Sequence, residues 1–116
     1  MNADKNIIKE KLQNLVDTGG EAVVFALGDY YVQAANAKPA ELYIEAVSHH
    51  YHSSIDTTLE GGFIAVGFHL EEGGNYSKSC HIGGPDDIEK LSDDIVKIFR
   101  DLYRAGDNDP FEVTEM

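Results

Sequence analysis

The chain has 116 residues, 42% of them hydrophobic and 26% charged, as in an ordinary single globular domain. Its 21 acidic and 9 basic side chains give a net charge of -12 at pH 7, which repels phosphate backbones and anionic lipids, so we expect neither nucleic acid nor membrane as a partner. One cysteine excludes an intrachain disulfide, and no apolar run has the length of a signal peptide or a membrane span, so we expect a soluble cytoplasmic protein.

The first half of the chain predicts one helix followed by three strands. Apolar residues at helical spacing predict a helix over residues 3–17. Two β-rich runs, 21–27 and 30–36, are separated by a Gly-Asp pair and predict a hairpin. Residues 41–52 predict a third strand, which the simplest connection places beside the second in an antiparallel meander.

The middle of the chain supports two interpretations. Residues 63–68 are apolar and could form a buried strand, whereas residues 57–66 could form a short helix with its apolar residues along one side. Gly61 and Gly62 weaken the helix by about 1 kcal/mol each. Local periodicity does not decide between the two.

The second half predicts a strand over residues 76–82 and a long amphipathic helix over 85–105. Pro85 suits the first helical position. The apolar stripe of this helix consists of Ile88, Leu91, Ile95, Phe99 and Leu102. We expect residues 107–116 to form a loose acidic tail. The chain is thus predicted to be one domain over 1–116, with its core at about 4–105 and an α+β fold whose antiparallel sheet has about five strands.

Several stretches are similar to one known family. The run GEAVVFALGDYYVQ at residues 20–33 resembles the first hairpin of the YbjN-like and type III secretion chaperone-like family. LYIEAVS at residues 42–48 resembles its third strand, and Gly67-Phe68, GNYS at 74–77 and the closing helix follow its later order. The resemblance covers about residues 5–105 and contains no catalytic signature.

The resemblance implies a particular order of elements and a class of function. The order is helix, three strands, helix, two strands, helix, in which residues 57–66 are the middle helix. Secretion chaperones of this fold are acidic, cytoplasmic and usually dimeric, and they hold a protein client in a partly extended form. We therefore expect a protein client, and a homodimer is possible.

Histidines and the cysteine are the residues with metal-binding or nucleophilic chemistry. They are His49, His50, His52, His69, Cys80 and His81. On a strand His50 and His52 share a face while His49 points away, and no zinc-motif spacing is present. Cys80 and His81 are adjacent, so a strand turns them to opposite faces. We expect no metal, no cofactor and no catalytic residue; a metal-binding or small-molecule enzyme is a minor alternative.

The third strand carries the candidate binding residues. Glu45 shares one face of the strand with Tyr43 and Val47, so it is either buried and paired or part of an exposed sheet face. The exposed alternative suits recognition, because tyrosines are enriched at interfaces. We predict a non-catalytic protein-binding domain that uses Tyr31, Tyr43, Glu45 and Val47. The alternative is an acidic inhibitor or immunity-type protein that neutralises a basic partner.

Overall fold

A computed structural model of the chain describes residues 5–27, 30–38, 40–47, 60–70, 75–102 and 111–115. The first half contains helix α1 (Lys5–Thr18) and strands β1 (Ala22–Leu27), β2 (Tyr30–Lys38) and β3 (Glu41–Ala46). The second half contains helix α2 (Glu60–Ala65), strands β4 (His69–Leu70) and β5 (Tyr76–His81), helix α3 (Pro85–Lys97), a π-helical turn (Ile98–Leu102) and strand β6 (Phe111–Glu115).

The strands form one six-stranded sheet in the order β4-β5-β3-β2-β1-β6, and every neighbouring pair is antiparallel. The predicted α+β class with an antiparallel sheet and three helices is confirmed. The predicted hairpin is also confirmed, since β1 pairs with β2 from Ala22↔Ala35 to Leu27↔Tyr30. The sheet has one strand more than expected because the chain returns to it after α3.

Helix α1 follows the predicted apolar spacing. Ile8, Leu12 and Leu15 recur every three or four residues and are all buried. The helix ends at Thr18, and Gly19 adopts a φ of 67°, a left-handed conformation that glycine reaches without steric cost. The sequence therefore specifies both the buried side of α1 and its end.

The ambiguous middle segment is helical from Glu60 to Ala65, so the strand alternative is wrong. The helix is held by the fully buried ring of Phe63, which stacks on Tyr76 with 4.0 Å between ring centroids. The Phe68 ring contacts the Phe63 ring edge-on, with 6.0 Å between their centroids. These contacts join α2 to β5, and they offset the low helix propensity of the glycines. Residues 57–59 lie outside the described ranges.

The third strand is shorter than predicted. Pairing of β3 with β2 and β5 stops at Ala46, and Val47 lies outside the strand although its N–H still donates to the carbonyl oxygen of Tyr31 at 3.2 Å. Val47 is 3% exposed and belongs to the hydrophobic core. The predicted continuation over 48–52 falls outside the described residues.

The closing helix starts as predicted and changes its geometry near its end. Pro85 is its first residue, and the Gly83 N–H donates to the Asp87 carboxylate at 2.7 Å. The α-helix stops at Lys97, and the π-helical turn after it keeps Ile98 and Phe99 buried. The predicted end, residues 103–105, lies outside the described part of the chain.

The prediction of a loose tail over 107–116 is wrong for residues 111–115, which form β6 along β1. The strand is held on its core side, where the Phe111 ring lies parallel to the Phe25 ring with 6.4 Å between centroids. Val113 also packs against the core. Phe111 and Val113 alternate with Glu112 and Thr114, a pattern that favours a strand, but the acidic residues of this segment hid it.

Helices α1 and α3 are joined at their surface by ion pairs. Lys5 Nζ lies 2.6 Å from Glu89 and 2.8 Å from Asp93, and Lys9 Nζ lies 2.7 Å from Glu89. Hydrogen bonds from Lys5 and then Lys9 lower the pKa of Glu89 from 4.5 to about 2. The same contacts raise the pKa of Lys5, chiefly through Asp93.

The Glu89 pairs should make stability depend on pH. Because the pKa of Glu89 is lower in the folded chain, its contribution is complete above about pH 4.5 and is lost as the pH falls towards about 2. We expect Glu89→Gln to lower the thermal midpoint at neutral pH, with the difference from wild type shrinking over that interval. Thermal melts of both proteins, with Glu112→Gln as the control for an unpaired carboxylate, measure this. A difference that does not change with pH would contradict it.

Candidate functional site

The two faces of the sheet differ in what covers them. Residues that pair directly across antiparallel strands share a face, and one face carries Phe25, Val32, Ala46 and Tyr76 in a row. Buried residues of all three helices join this row in one core. The opposite face, called the open face, carries no helix among the described residues. It consists of Val24, Ala26, Tyr31, Gln33, Ala35, Tyr43, Glu45, His69, Ser77, Ser79, Glu112 and Thr114.

A hydrogen-bonded group of three side chains occupies the centre of the open face. The Asn75 amide is buried, and its Nδ2 donates to Glu45 Oε1 at 2.7 Å and to the Tyr31 hydroxyl at 2.8 Å. Tyr31 and Glu45 are partly exposed. Asn75 thus fixes both an aromatic and an acidic side chain while adding little surface of its own.

A row of polar residues crosses four strands through Glu45. Gln33 and Ser77 flank Glu45 directly on β2 and β5, and His69 follows Ser77 on β4. Ser77 itself is fully buried, whereas Gln33 is partly exposed and His69 is exposed. Ser77 Oγ and His69 Nε2 are 3.4 Å apart. Tyr43 lies two residues before Glu45 on the same face and is partly exposed. The open face therefore combines tyrosine rings with polar and acidic groups.

The structure brings together three of the four residues predicted to bind a partner. Tyr31, Tyr43 and Glu45 share the open face, where Glu45 is partly exposed and also hydrogen-bonded to the buried Asn75, so it combines features of both alternatives. Val47 does not offer a side chain there, because β3 ends one residue earlier and Val47 is buried. Asn75 was missed as a functional residue, and only its place between a glycine pair and a strand could have suggested a positioning role.

The predicted histidine cluster falls mostly outside the described residues, since His49, His50 and His52 lie there. His69 pairs with Ser77, and His81 lies four residues further along β5, about 13 Å away. Within the described ranges no three histidine, cysteine or acidic side chains lie close enough together to hold a metal ion.

Cys80 lies on the core side of β5 and lines a cavity of about 190 Å³. His81, Lys90, Asp87 and Asp94 also line it. Burial raises the pKa of the Cys80 thiol above its ordinary value of 9.0, and this effect outweighs the opposite influence of the Lys78 charge. The thiolate is the reactive form of cysteine. Because the raised pKa lowers the fraction of thiolate at neutral pH, Cys80 is a poor nucleophile there.

We expect Cys80 to react slowly with a thiol-specific chromogenic disulfide. At neutral pH its labelling rate should be lower than that of glutathione by about tenfold or more, because burial reduces both access and thiolate. The rate should rise as the pH approaches and passes 9.0. Denaturant should abolish the difference, and fast labelling of the native chain at neutral pH would contradict the raised pKa.

The cavity wall also contains a buried ion pair. Lys78 Nζ lies 3.0 Å from Asp94 Oδ2, and the two side chains are only 10% and 15% exposed. Lys78 also donates to the Val66 carbonyl oxygen at 2.8 Å and lies 4.9 Å from the centroid of the Phe68 ring. The two charges compensate each other. Lys78 of β5 thereby connects Asp94 of α3 with Val66 in the turn after α2, which is a structural role.

None of the helices in the described ranges combines the length and apolar composition that crossing a bilayer requires. Comparison of the chain with models of protein families, with curated proteins and with solved structures finds no match. The similarity to secretion chaperones therefore stays a prediction, and the open face is the feature from which function is inferred.

Proposed function

We propose that this chain is a protein-binding domain that engages a protein partner through the open face. The observation that carries the proposal is the group formed by Tyr31, Glu45 and Asn75, in which a buried amide holds two partly exposed side chains in place. Preorganised side chains lose less conformational entropy on binding, and tyrosine gives a large contact area with few rotatable bonds.

The charge distribution supports a partner with basic surface. The basic residues Lys5, Lys9, Lys11, Lys78, Lys90 and Arg100 each lie within 3.7 Å of a carboxylate oxygen. The charges of these six residues are therefore compensated locally, and the 21 acidic side chains outnumber the 9 basic ones over the whole sequence. Such a field accelerates encounter with basic partners and disfavours acidic ones.

The resemblance of residues 5–105 to secretion chaperones supports the same class of function. It adds that the partner is a client held in a partly extended form and that the chain works as a homodimer. Light scattering coupled to size exclusion tests the dimer on the purified chain. A strictly monomeric species across micromolar concentrations would contradict it and would leave the open face to act in a monomer.

Site-specific photo-crosslinking in cells tests which face binds. A benzophenone amino acid replaces Tyr43 on the open face or, as the control, Ile7, which is 38% exposed on α1. We expect one protein to crosslink at Tyr43 and not at Ile7. With that protein purified, Tyr43→Ala should weaken binding by about tenfold or more, as for an aromatic residue central to an interface, and Ile7→Ala should not.

Two results would contradict the proposal. One is a partner that crosslinks only at Ile7, which would move the binding surface to the helices. The other is a purified partner whose affinity is the same for wild type and Tyr43→Ala. Either result would show that the open face is not the interface.

An acidic inhibitor of a basic toxin or enzyme is the second candidate, and the net charge of -12 favours it. The same crosslinked partner separates the two functions. An inhibitor abolishes the enzymatic activity of its partner in a one-to-one complex, whereas a chaperone-like domain keeps its client soluble and leaves the activity of the released client intact.

A further inference from the structure

The carboxylate of Glu45 lies at the middle of the open face, and no cation from the described residues accompanies it. Strand β3 lies inside the sheet, with β2 on one side and β5 on the other. Glu45 Oε1 accepts the hydrogen bond from Asn75, and no lysine or arginine of the described ranges forms an ion pair with Glu45. Glu45 therefore differs from Glu89 and Asp94, whose carboxylates are each paired with lysines.

The neighbours of Glu45 hold its carboxylate and do not neutralise it. A neutral amide compensates a partly buried carboxylate incompletely, because the charge remains. Asn75 is 8% exposed, and with one of its two amide hydrogens on Glu45 and the other on Tyr31 it keeps the carboxylate from turning away. Because this carboxylate is already fixed in position, it loses little conformational entropy when it binds an external cation.

The side chains around the carboxylate suit a cationic group on a long stem. Tyr43 lies on the same strand and face, and Tyr31 is linked to Glu45 through Asn75. Tyrosine rings attract ammonium and guanidinium groups and pack against their methylene stems. Gln33, directly opposite Glu45 on β2, adds an amide that can accept a further hydrogen bond.

We propose that the open face binds a segment of its protein partner that presents one lysine or arginine to the Glu45 carboxylate between Tyr31 and Tyr43. This inference rests on the proposed function and names the chemistry of the partner. The cation would form the ion pair that no lysine or arginine of the described ranges forms with Glu45, so binding would depend on Glu45 beyond the general attraction of the acidic surface.

A random dodecapeptide library displayed on phage tests this without knowledge of the partner. The library is selected at physiological salt on wild type, on Glu45→Gln and on Glu112→Gln. The last variant removes an equal charge from β6 at the edge of the sheet, three strands away from β3 and outside the group of Tyr31, Tyr43 and Glu45 that the proposal uses, so it controls for the overall field. We expect peptides from wild type and Glu112→Gln to share a lysine or arginine at one aligned position, and we expect this preference to disappear with Glu45→Gln.

The dissociation constants of one selected peptide for the three proteins give the size of the Glu45 contribution to binding. For a charge-assisted contact in a partly desolvated site, we expect Glu45→Gln to lower the affinity for the peptide by about tenfold and Glu112→Gln to lower it by less than about twofold. Replacing the basic residue of the peptide by norleucine should weaken wild-type binding by a similar factor and should leave Glu45→Gln unaffected. Amide chemical shifts of the variants check that the fold is intact.

The outcomes separate this inference from the proposed function. Peptides that perturb the amides of the open face but show no aligned basic residue contradict the role of Glu45 and leave the binding face standing. An equal loss in Glu45→Gln and Glu112→Gln also contradicts it, since attraction by the field would be sufficient. Recovery of no peptide that perturbs the open face contradicts both proposals.

Discussion

Phe63→Ala is expected to lower the free energy of unfolding by about 4 kcal/mol, as for other fully buried aromatic residues. The ring of Phe63 is 0% exposed and contacts both Tyr76 and Phe68. Helix α2 has six residues and two glycines, so its own hydrogen bonds cannot maintain it without this anchor. Urea denaturation followed by circular dichroism measures the loss.

The neighbouring residue provides a matched control for this substitution. Ile64 is 56% exposed in the same helix, and Ile64→Ala should change the free energy of unfolding by less than about 0.5 kcal/mol. Amide exchange should show that Phe63→Ala opens α2 and β4 first, because α2 carries that ring and contacts β4. A loss below about 1 kcal/mol would mean that α2 does not depend on Phe63.

Asp94→Ala is expected to cost about 3 kcal/mol of unfolding free energy, because it leaves the Lys78 charge buried without a counterion. Lys78 is 10% exposed at its side chain, and its remaining partners are the Val66 carbonyl oxygen and the Phe68 ring. The pairing of Lys90 with Asp94 at 3.7 Å is exposed on the lysine side and adds little. Urea denaturation at constant ionic strength measures the effect.

The double variant Lys78→Met, Asp94→Leu separates the cost of an uncompensated charge from the worth of the pair. Because it removes both charges and keeps apolar volume, its stability should lie within about 1 kcal/mol of wild type. Asp94→Ala should therefore be the less stable of the two proteins. The reverse order would show that the pair stabilises the fold by more than its burial costs.

The helices and the meander follow from periodicity. The spacing of Ile8, Leu12 and Leu15 predicted α1, and Ile88, Leu91 and Ile95 predicted α3, because a helix must place its apolar residues on one side to bury them. Strands β1, β2 and β3 were visible as β-rich runs separated by short turns. In these elements the local preference and the tertiary packing agree.

The remaining elements depend on contacts between residues distant in sequence. Helix α2 exists because Phe63 meets Tyr76, and β6 exists because Phe111 meets Phe25. A single sequence read locally contains neither contact. The glycines of α2 disfavour a helix, and the acidic residues of β6 indicated a loose tail. In each segment the packing of one aromatic ring, Phe63 or Phe111, outweighs these local preferences.

The candidate site was partly predictable for the same reason. Alternation along β3 placed Tyr43 and Glu45 on one face, and Tyr31 joined them through the hairpin. The position of Val47 required knowing where β3 ends. The role of Asn75 required the pairing of β5 with β3, which brings the start of β5 beside Glu45.

The place of β6 in the sheet has a consequence for how the protein folds as it is synthesised. Strand β1 is made before α3, whereas its neighbour β6 is made only after that helix, and their register joins Val23 to Glu115. Contacts between such distant parts of a chain carry a high entropic cost and form slowly. The edge of β1 therefore stays without this neighbour until β6 has been made, and until then its backbone groups are open to pairing with another strand.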